Sequence, residues 1–226
     1  MARFIGIGEC ESVSGAAVVI DVMRAYTVAA WALHLGAARM ILVDDLDVAL
    51  ELKSRFPGSL ALKDGAPAEG FDLYNSPADL QEADIRGKTI VQRTTAGTIG
   101  AVAVRHCRPL ICTGFVCASA VARRLRDLAP DELTYVVTGE DGTAEEDLAC
   151  AEYIDALVRN PDTDHAPYIQ RASESKAAID ILQAAAEGYT GINPRDVDMC
   201  VDVNRFDFTL EASVEDELLV LRKHQV

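Results

Sequence analysis

The sequence predicts an α/β fold of three layers, α/β/α, with a mostly parallel sheet in the middle. Three observations carry this. Short apolar runs alternate with stretches of helical spacing from residue 16 to residue 160. A parallel pair needs such a crossover to bring the chain back over the sheet. Glycine and proline punctuate the joints. The composition, 50% hydrophobic and 25% charged over 226 residues, is that of an ordinary globule able to bury a sizeable core.

The elements follow in order. AAVVIDV (16–22) reads as a buried strand, and AYTVAAWALHLG (25–36) as the helix after it, stopped at Gly36. RMILV (39–43) is the next strand, and DVALELKSRF (47–56) the next helix, closed by Pro57 and Gly58. SLALK (59–63) is a strand, and PADLQEAD (77–84) begins a helix with Pro77 at its start. KTIVQ (88–92) and TIGAVAVRHC (98–107) repeat the pattern. PLICTGF (109–115) and LTYVVTG (133–139) are further strands, separated by the helix ASAVARRLRDL (118–128) and followed by the helix AEEDLACAEYIDALVRN (144–160). Residues 160–169 are the best linker, after which come one helix at about 172–188 and a strand-like tail, RFDFTLEAS (205–213) and ELLVLRK (217–223). The tail is too short to hold a core alone, so 1–226 is expected to be one domain, with any sub-boundary near 160–169.

The formal charge of −15 argues against nucleic acid or an anionic membrane surface as partner, since both select for clustered Lys and Arg. An anionic ligand must then be held by a local site. The opening MARFIGIGEC is too brief and too polar for a signal sequence or a membrane span, and a cytoplasmic protein is expected. The cysteines at 10, 107, 112, 117, 150 and 200 form no CxxC pair and fit reduced, buried thiols.

Parallel α/β sheets bind ligands at the carboxyl ends of their strands, and four strand ends here carry polar residues. These are Asp21 with Arg24, the stretch Asp72 to Ser76, the stretch Arg93 to Thr98, and Glu140 to Asp147. Each has a plain structural reading as a helix cap or an acidic first turn. Together they suggest a site. RTTAGT (93–98) has the chemistry of an anion cradle: Gly97 permits close approach, Thr94, Thr95 and Thr98 offer hydroxyls, the helix start presents free amides, and Arg93 adds a cationic fork. It is not a P-loop, lacking the lysine and the glycine spacing. Asp21, Glu146 and Asp147 would suit a magnesium ion bridging carboxylates and a phosphate ester. Glu146 and Asp147 are adjacent on a helix and cannot both face one point. Asp147 is the preferred direct ligand.

Two literal phosphatase patterns carry less weight. CASAVAR places Cys117 and Arg123 at cysteine-phosphatase spacing but looks helical and lacks a glycine. DLDV places Asp45 and Asp47 after a strand, yet helical spacing runs straight through it. The histidines at 34, 106, 165 and 224 form no spaced pair.

Five stretches together, VVIDVMRAYTVAAWAL, GFDLYNSPADL, GKTIVQRTTAGT, TGFVCASAVARRL and VVTGEDGTAEEDLACAEYI, resemble the 2-phosphosulfolactate phosphatases in order and spacing over roughly residues 15 to 155. The resemblance implies a magnesium-dependent phosphomonoester hydrolase that converts 2-phospho-3-sulfolactate to sulfolactate, a step towards coenzyme M, acting as a homodimer. It carries over to Asp21, Arg24, Asn75, Ser76, Thr94, Thr95, Gly97, Thr98, Gly139, Glu146 and Asp147. Asp21, Arg24 and Asp147 are then the catalytic candidates. Asn75, Ser76, Arg93, Thr94, Thr95, Gly97 and Thr98 bind substrate, and Asp21, Glu146 and Asp147 hold Mg2+. The chain departs from the family pattern at Tyr26, Tyr74, Arg93, Ala96, Cys117 and Glu152, several of them beside the expected pocket. A second reading is a catalytically silent anion-binding or scaffold protein on the same fold. A third is an aspartyl-type phosphatase using Asp45.

Overall fold

The computed structural model describes residues 2–226. Its strands are β1 (Arg3–Ile5), β2 (Ala16–Ile20), β3 (Arg39–Val43), β4 (Leu60–Lys63), β5 (Leu73–Tyr74), β6 (Thr89–Arg93), β7 (Leu110–Thr113), β8 (Leu133–Val137), β9 (Phe208–Glu215) and β10 (Leu218–Gln225). They form one sheet of 10 strands in the order β1-β8-β2-β7-β9-β10-β3-β6-β4-β5. On one side of the β9–β10 hairpin, β1, β8, β2 and β7 are mutually parallel. On the other, β3, β6, β4 and β5 are. The pairings from β7 through the hairpin to β3 are all antiparallel, so the two parallel halves run in opposite directions. The fold is therefore α/β with a mostly parallel sheet, as expected.

The helices are α1 (Ala25–His34), α2 (Leu46–Arg55), α3 (Pro77–Leu80), α4 (Gly97–Ala103), α5 (Ala118–Leu128), α6 (Glu145–Arg159), α7 (Ala166–Ser173), α8 (Lys176–Ala186) and α9 (Asp196–Cys200). Every residue of β2 and β7 is buried, as in a sheet covered on both faces. α1 is buried from Ala25 to Leu33, which explains why its sequence is apolar on every side rather than along one stripe. Its four alanines let it lie close to α3, α4 and β7.

Three parts of the fold differ from the sequence-based expectation. The strand-like tail takes a place that its sequence alone does not indicate, the centre of the sheet: Leu210, Ala212, Leu219, Val220 and Leu221 are buried because β9 and β10 lie between β7 and β3. The expected linker at 160–169 runs into α7 from Ala166, and the single helix expected at 172–188 is two, because Ser175 caps a new start by accepting the Ala178 amide at 3.2 Å. The N-terminal residues, whose alternation is too short to register, form β1 beside β8.

Candidate active site

The carboxyl ends of β2 and β6 belong to oppositely directed halves of the sheet, yet they touch. The sheet curls to bring them together, and Gly97 is what lets them meet. A Cβ on Gly97 would lie 2.6 Å from Asp21 Oδ2 and 2.8 Å from Ala25 Cβ, closer than packed atoms come. Asp21 Oδ1 accepts the Ala25 amide at 2.9 Å and so caps the start of α1, leaving Oδ2 against the turn. Tyr26, one of the departures from the family pattern, reaches across from α1 and donates its hydroxyl to the Gly97 carbonyl at 2.6 Å.

Within RTTAGT the hydroxyls are already engaged. Thr98 Oγ1 accepts the Thr94 amide at 2.8 Å and donates to the Thr94 carbonyl at 3.0 Å, while Thr94 Oγ1 accepts the Thr98 amide at 3.1 Å. This reciprocal pair closes the turn and sets the direction of α4. Thr95 points elsewhere: its amide and its hydroxyl both donate to Asp64 Oδ2, at 2.7 and 2.6 Å. Arg93 Nη1 stands 3.9 Å from Asp64 Oδ1, and Arg93 Nε donates to the Asp44 carbonyl at 3.3 Å. The anion in the cradle is thus the protein's own carboxylate.

At the end of β8, α6 begins with Glu145, Glu146 and Asp147. Asp147 is a staple: Oδ1 accepts the Val22 amide at 2.7 Å and Oδ2 the Gly139 amide at 2.9 Å. It joins the ends of β2 and β8 with both oxygens occupied. Glu146, also buried, faces Ser175 and lines a cavity of about 230 Å³ with Gly139, Glu140, Thr143 and Lys176. The two neighbours do diverge, and Glu146 is the one with open space before it. A larger cavity, about 640 Å³, lies at the far edge between β1, α6 and α7 and contains none of these residues.

Arg24 is buried, and its partner is a residue the sequence did not single out. Arg24 Nη1 donates to Asp196 Oδ2 at 2.5 Å and to the Gly191 carbonyl at 3.0 Å. Asp196, wholly buried, also accepts the Ser76 hydroxyl at 2.7 Å, the Ala78 amide at 3.3 Å and the Asn193 amide at 3.0 Å. Ser76 in turn caps α3 through the Asp79 amide at 3.2 Å. Tyr74, another departure, packs on Gly191, where a Cβ would fall 2.7 Å from its ring. The strap 191–196 therefore ties the Asn75–Ser76 loop to Arg24. Asn75 is itself buried, and its Oδ1 has no hydrogen-bond partner.

Burial pushes the Asp21 carboxyl up, helped by the charges of Asp64 and Glu146 and opposed by the amides of Ala25 and Gly97. Asp147 is pushed up by burial and then by Asp21 and Glu146, against the pull of the Val22 and Gly139 amides. Burial likewise raises Glu146. Like charges crowded in a low dielectric are relieved by taking up a proton or by a nearby cation. Among the described residues no three His, Cys, Asp or Glu side chains stand close enough to chelate a metal alone. The donors fit magnesium in its usual mode, one or two carboxylates with water and phosphate oxygens completing the shell. Asp21 and Asp147 each already accept two amides, and Glu146 faces open space.

The two literal phosphatase patterns have structural explanations. Asp45 caps α2 by accepting the Asp47 and Val48 amides at 2.8 and 3.0 Å. Cys117 is fully buried, with its thiol pushed far up by burial, so it offers no nucleophile. Glu152 pairs with Arg171 on α7, which also pairs with Glu145. Two residues of the site escaped sequence reasoning. Asp64 follows β4 directly, and β4 lies beside β6 with Lys63 paired to Arg93; neighbouring strand ends in one parallel half were the available signal. Asp196 had only its place after Asn193-Pro194, a plain helix start.

A sequence model of the family described as 2-phosphosulpholactate phosphatase matches residues 7–213. A protein of Bacillus subtilis named "Probable 2-phosphosulfolactate phosphatase" is 27% identical over 91% of this chain and 90% of its own. One of Carboxydothermus hydrogenoformans with the same name is 32% identical over 93% and 92%, and one of Synechococcus strain WH7803 is 38% identical over 79% and 70%.

Proposed function

This chain belongs to the 2-phosphosulpholactate phosphatase family, and we propose that it hydrolyses 2-phosphosulfolactate, a small and strongly anionic phosphate monoester, in a magnesium-dependent reaction. The contact between Asp21 and Gly97 is the observation that carries this reading. It joins a turn built to receive an acid group to a cluster of carboxylates able to hold a cation, and a phosphate ester with a second acid group needs both.

Arg24, fixed from behind by Asp196 and Gly191, turns its remaining N–H groups to the phosphoryl oxygens and offsets charge as the ester bond breaks. Holding the guanidinium in place beforehand means no reorganisation is needed at the moment of reaction. Asp21 and Glu146 hold magnesium, which when bound neutralises charge on the phosphoryl group. Asp21 is also the carboxylate placed to take the proton of the attacking water. The unpartnered Asn75 Oδ1 accepts a hydrogen bond from a bound water or hydroxyl. Arg93 and Thr95 receive the substrate's second acid group at the other wall. Among the described residues no helix is long and apolar enough to cross a membrane.

The test is phosphate release from 2-phosphosulfolactate, phospholactate and an aryl phosphate, each with magnesium and with chelator. Turnover of 2-phosphosulfolactate above the other two, lost on chelation, is expected. Inertness towards all three defeats the reading. It would leave the second reading, an anion-binding protein without turnover, which Asp64's occupation of the cradle favours.

A further inference from the structure

The turn that the sequence marks as an anion cradle already holds an anion. Thr95 directs both its amide and its hydroxyl at a single oxygen of Asp64, at 2.7 and 2.6 Å, and Arg93 stands by the other oxygen at 3.9 Å. Two donors on one oxygen with a guanidinium beside the second is how a bound oxyanion is held.

The placement of Asp64 follows from the fold. β4 and β6 are parallel neighbours with Lys63 opposite Arg93, so the residue after Lys63 emerges beside Thr94 and reaches Thr95. The turn that follows is held in shape. Lys63 Nζ donates to the Asp64 carbonyl at 2.5 Å and to the Ala66 carbonyl at 2.6 Å. Gly65, at φ +70°, takes the left-handed conformation that reverses the chain. Asp64 is presented at a fixed position and at the high effective concentration of a tethered group.

We propose that Asp64 is a specificity-determining residue: its carboxylate competes with the substrate's second acid group for Thr95 and Arg93. This rests on the reading that this wall of the site receives that acid group. The competition sets how much anionic character the site accepts. A weakly held anion does not displace the internal carboxylate, whereas a doubly acidic ester anchored by its phosphate at Arg24 does.

The experiment is calorimetric titration of the full chain with inorganic sulfate, comparing wild type, Asp64→Asn, Asp64→Ala and the double variant Asp64→Ala with Thr95→Val. Melting curves establish that each variant folds, and the isosteric Asn variant guards against collapse of the turn in the Ala variant. Sulfate affinity is expected to rise about tenfold or more in both single variants, the scale of one charge-assisted hydrogen bond. Most of that gain is expected to disappear when Thr95 loses its hydroxyl. Unchanged or weaker sulfate binding in both single variants overturns the proposal. So does a gain that survives Thr95→Val in full, since relief of long-range repulsion would then explain it. The sulfate pattern needs no turnover to be read. If it holds while 2-phosphosulfolactate is not hydrolysed, the competition stands and only the assigned reaction fails.

Discussion

Arg24 and Asp196 lie 172 residues apart in the chain and meet at 2.5 Å, both shielded from solvent. Asp196 is a positioning residue for Arg24, and it holds the Ser76 hydroxyl and two backbone amides as well. Asp196→Ala leaves a buried guanidinium without its counter-charge, a change that costs about 3–5 kcal/mol. Urea unfolding measures that loss. Asp196→Asn keeps an acceptor for Ser76 but not the charge, and turnover is expected to fall at least about tenfold with a smaller change in KM, since the guanidinium's aim matters most as charge develops. An Asn variant with wild-type kcat would remove Asp196 from this role.

The close approach at Gly97 predicts an asymmetric response to a single methyl. Gly97→Ala places a Cβ 2.6 Å from Asp21 Oδ2, and overpacking of this kind costs about 1–3 kcal/mol. Phosphate release is expected to fall further than stability does, because the clash moves a reacting carboxylate. At Gly8 the nearest atom to an added Cβ is 3.5 Å away, so Gly8→Ala serves as the matched control. Equal behaviour of the two variants in melting and turnover assays would contradict the geometry.

Magnesium is expected to stabilise the chain as well as activate it. The cluster of Asp21, Glu146 and Asp147 is self-repelling, and a cation that binds only the folded state adds about 2.7 kcal/mol at a hundred times its dissociation constant. Thermal melting with magnesium and with chelator reads this directly. Asp21→Asn and Glu146→Gln are each expected to raise the melting temperature without metal and to blunt the shift that magnesium gives. A wild-type melting temperature indifferent to magnesium argues against a resident cation.

The thiols give a pH prediction independent of the site. Burial pushes Cys10 up to about 11 and Cys112 up to about 12. A raised folded-state value means that the folded chain holds the proton longer than the unfolded one, so the stabilising contribution is complete below about 9 and is lost as pH rises through 11 to 12. At pH 8 a thiol-specific maleimide should leave the native chain unlabelled and should modify all the cysteines after denaturation. Rapid native labelling at pH 8 would mean that these thiols are not held as described.

Most of the helices and parallel strands up to residue 160 were legible because each is written in local residues. RMILV, ASAVARRLRDL and AEEDLACAEYIDALVRN carry their own period and their own stops. The site was legible as far as strand ends reveal it: Asp21, the Asn75–Ser76 loop, the Arg93–Thr98 turn and the start of α6 are all there. What the local pattern does not contain is which hydroxyl is already taken. Thr98 looks like a donor to a ligand, but its hydroxyl donates to the Thr94 carbonyl, and the hydroxyls of Thr94 and Thr98 each accept the other's amide. Asp64 and Asp196 carry no motif because their partners arrive from distant segments, and a lone Asp before a glycine reads as a turn. The place of β9 and β10 was hidden for the same reason, since alternation says that a strand exists and nothing about its neighbours.

The hairpin's position bears on how this chain is made. β9 and β10 follow every other strand in the sequence, but they occupy the seam between the two parallel halves. Before Phe208 has been synthesised, a nascent chain can hold two half-sheets at most. Each would end in an apolar unpaired strand, β7 (LICT) on one and β3 (RMILV) on the other. Such edges invite pairing with each other or with other chains. Since the halves run oppositely, direct joining of β7 to β3 would be an antiparallel mispairing that shuts the hairpin out. β9 and β10, made after the other eight strands, are therefore the ones that decide whether those eight have been arranged correctly.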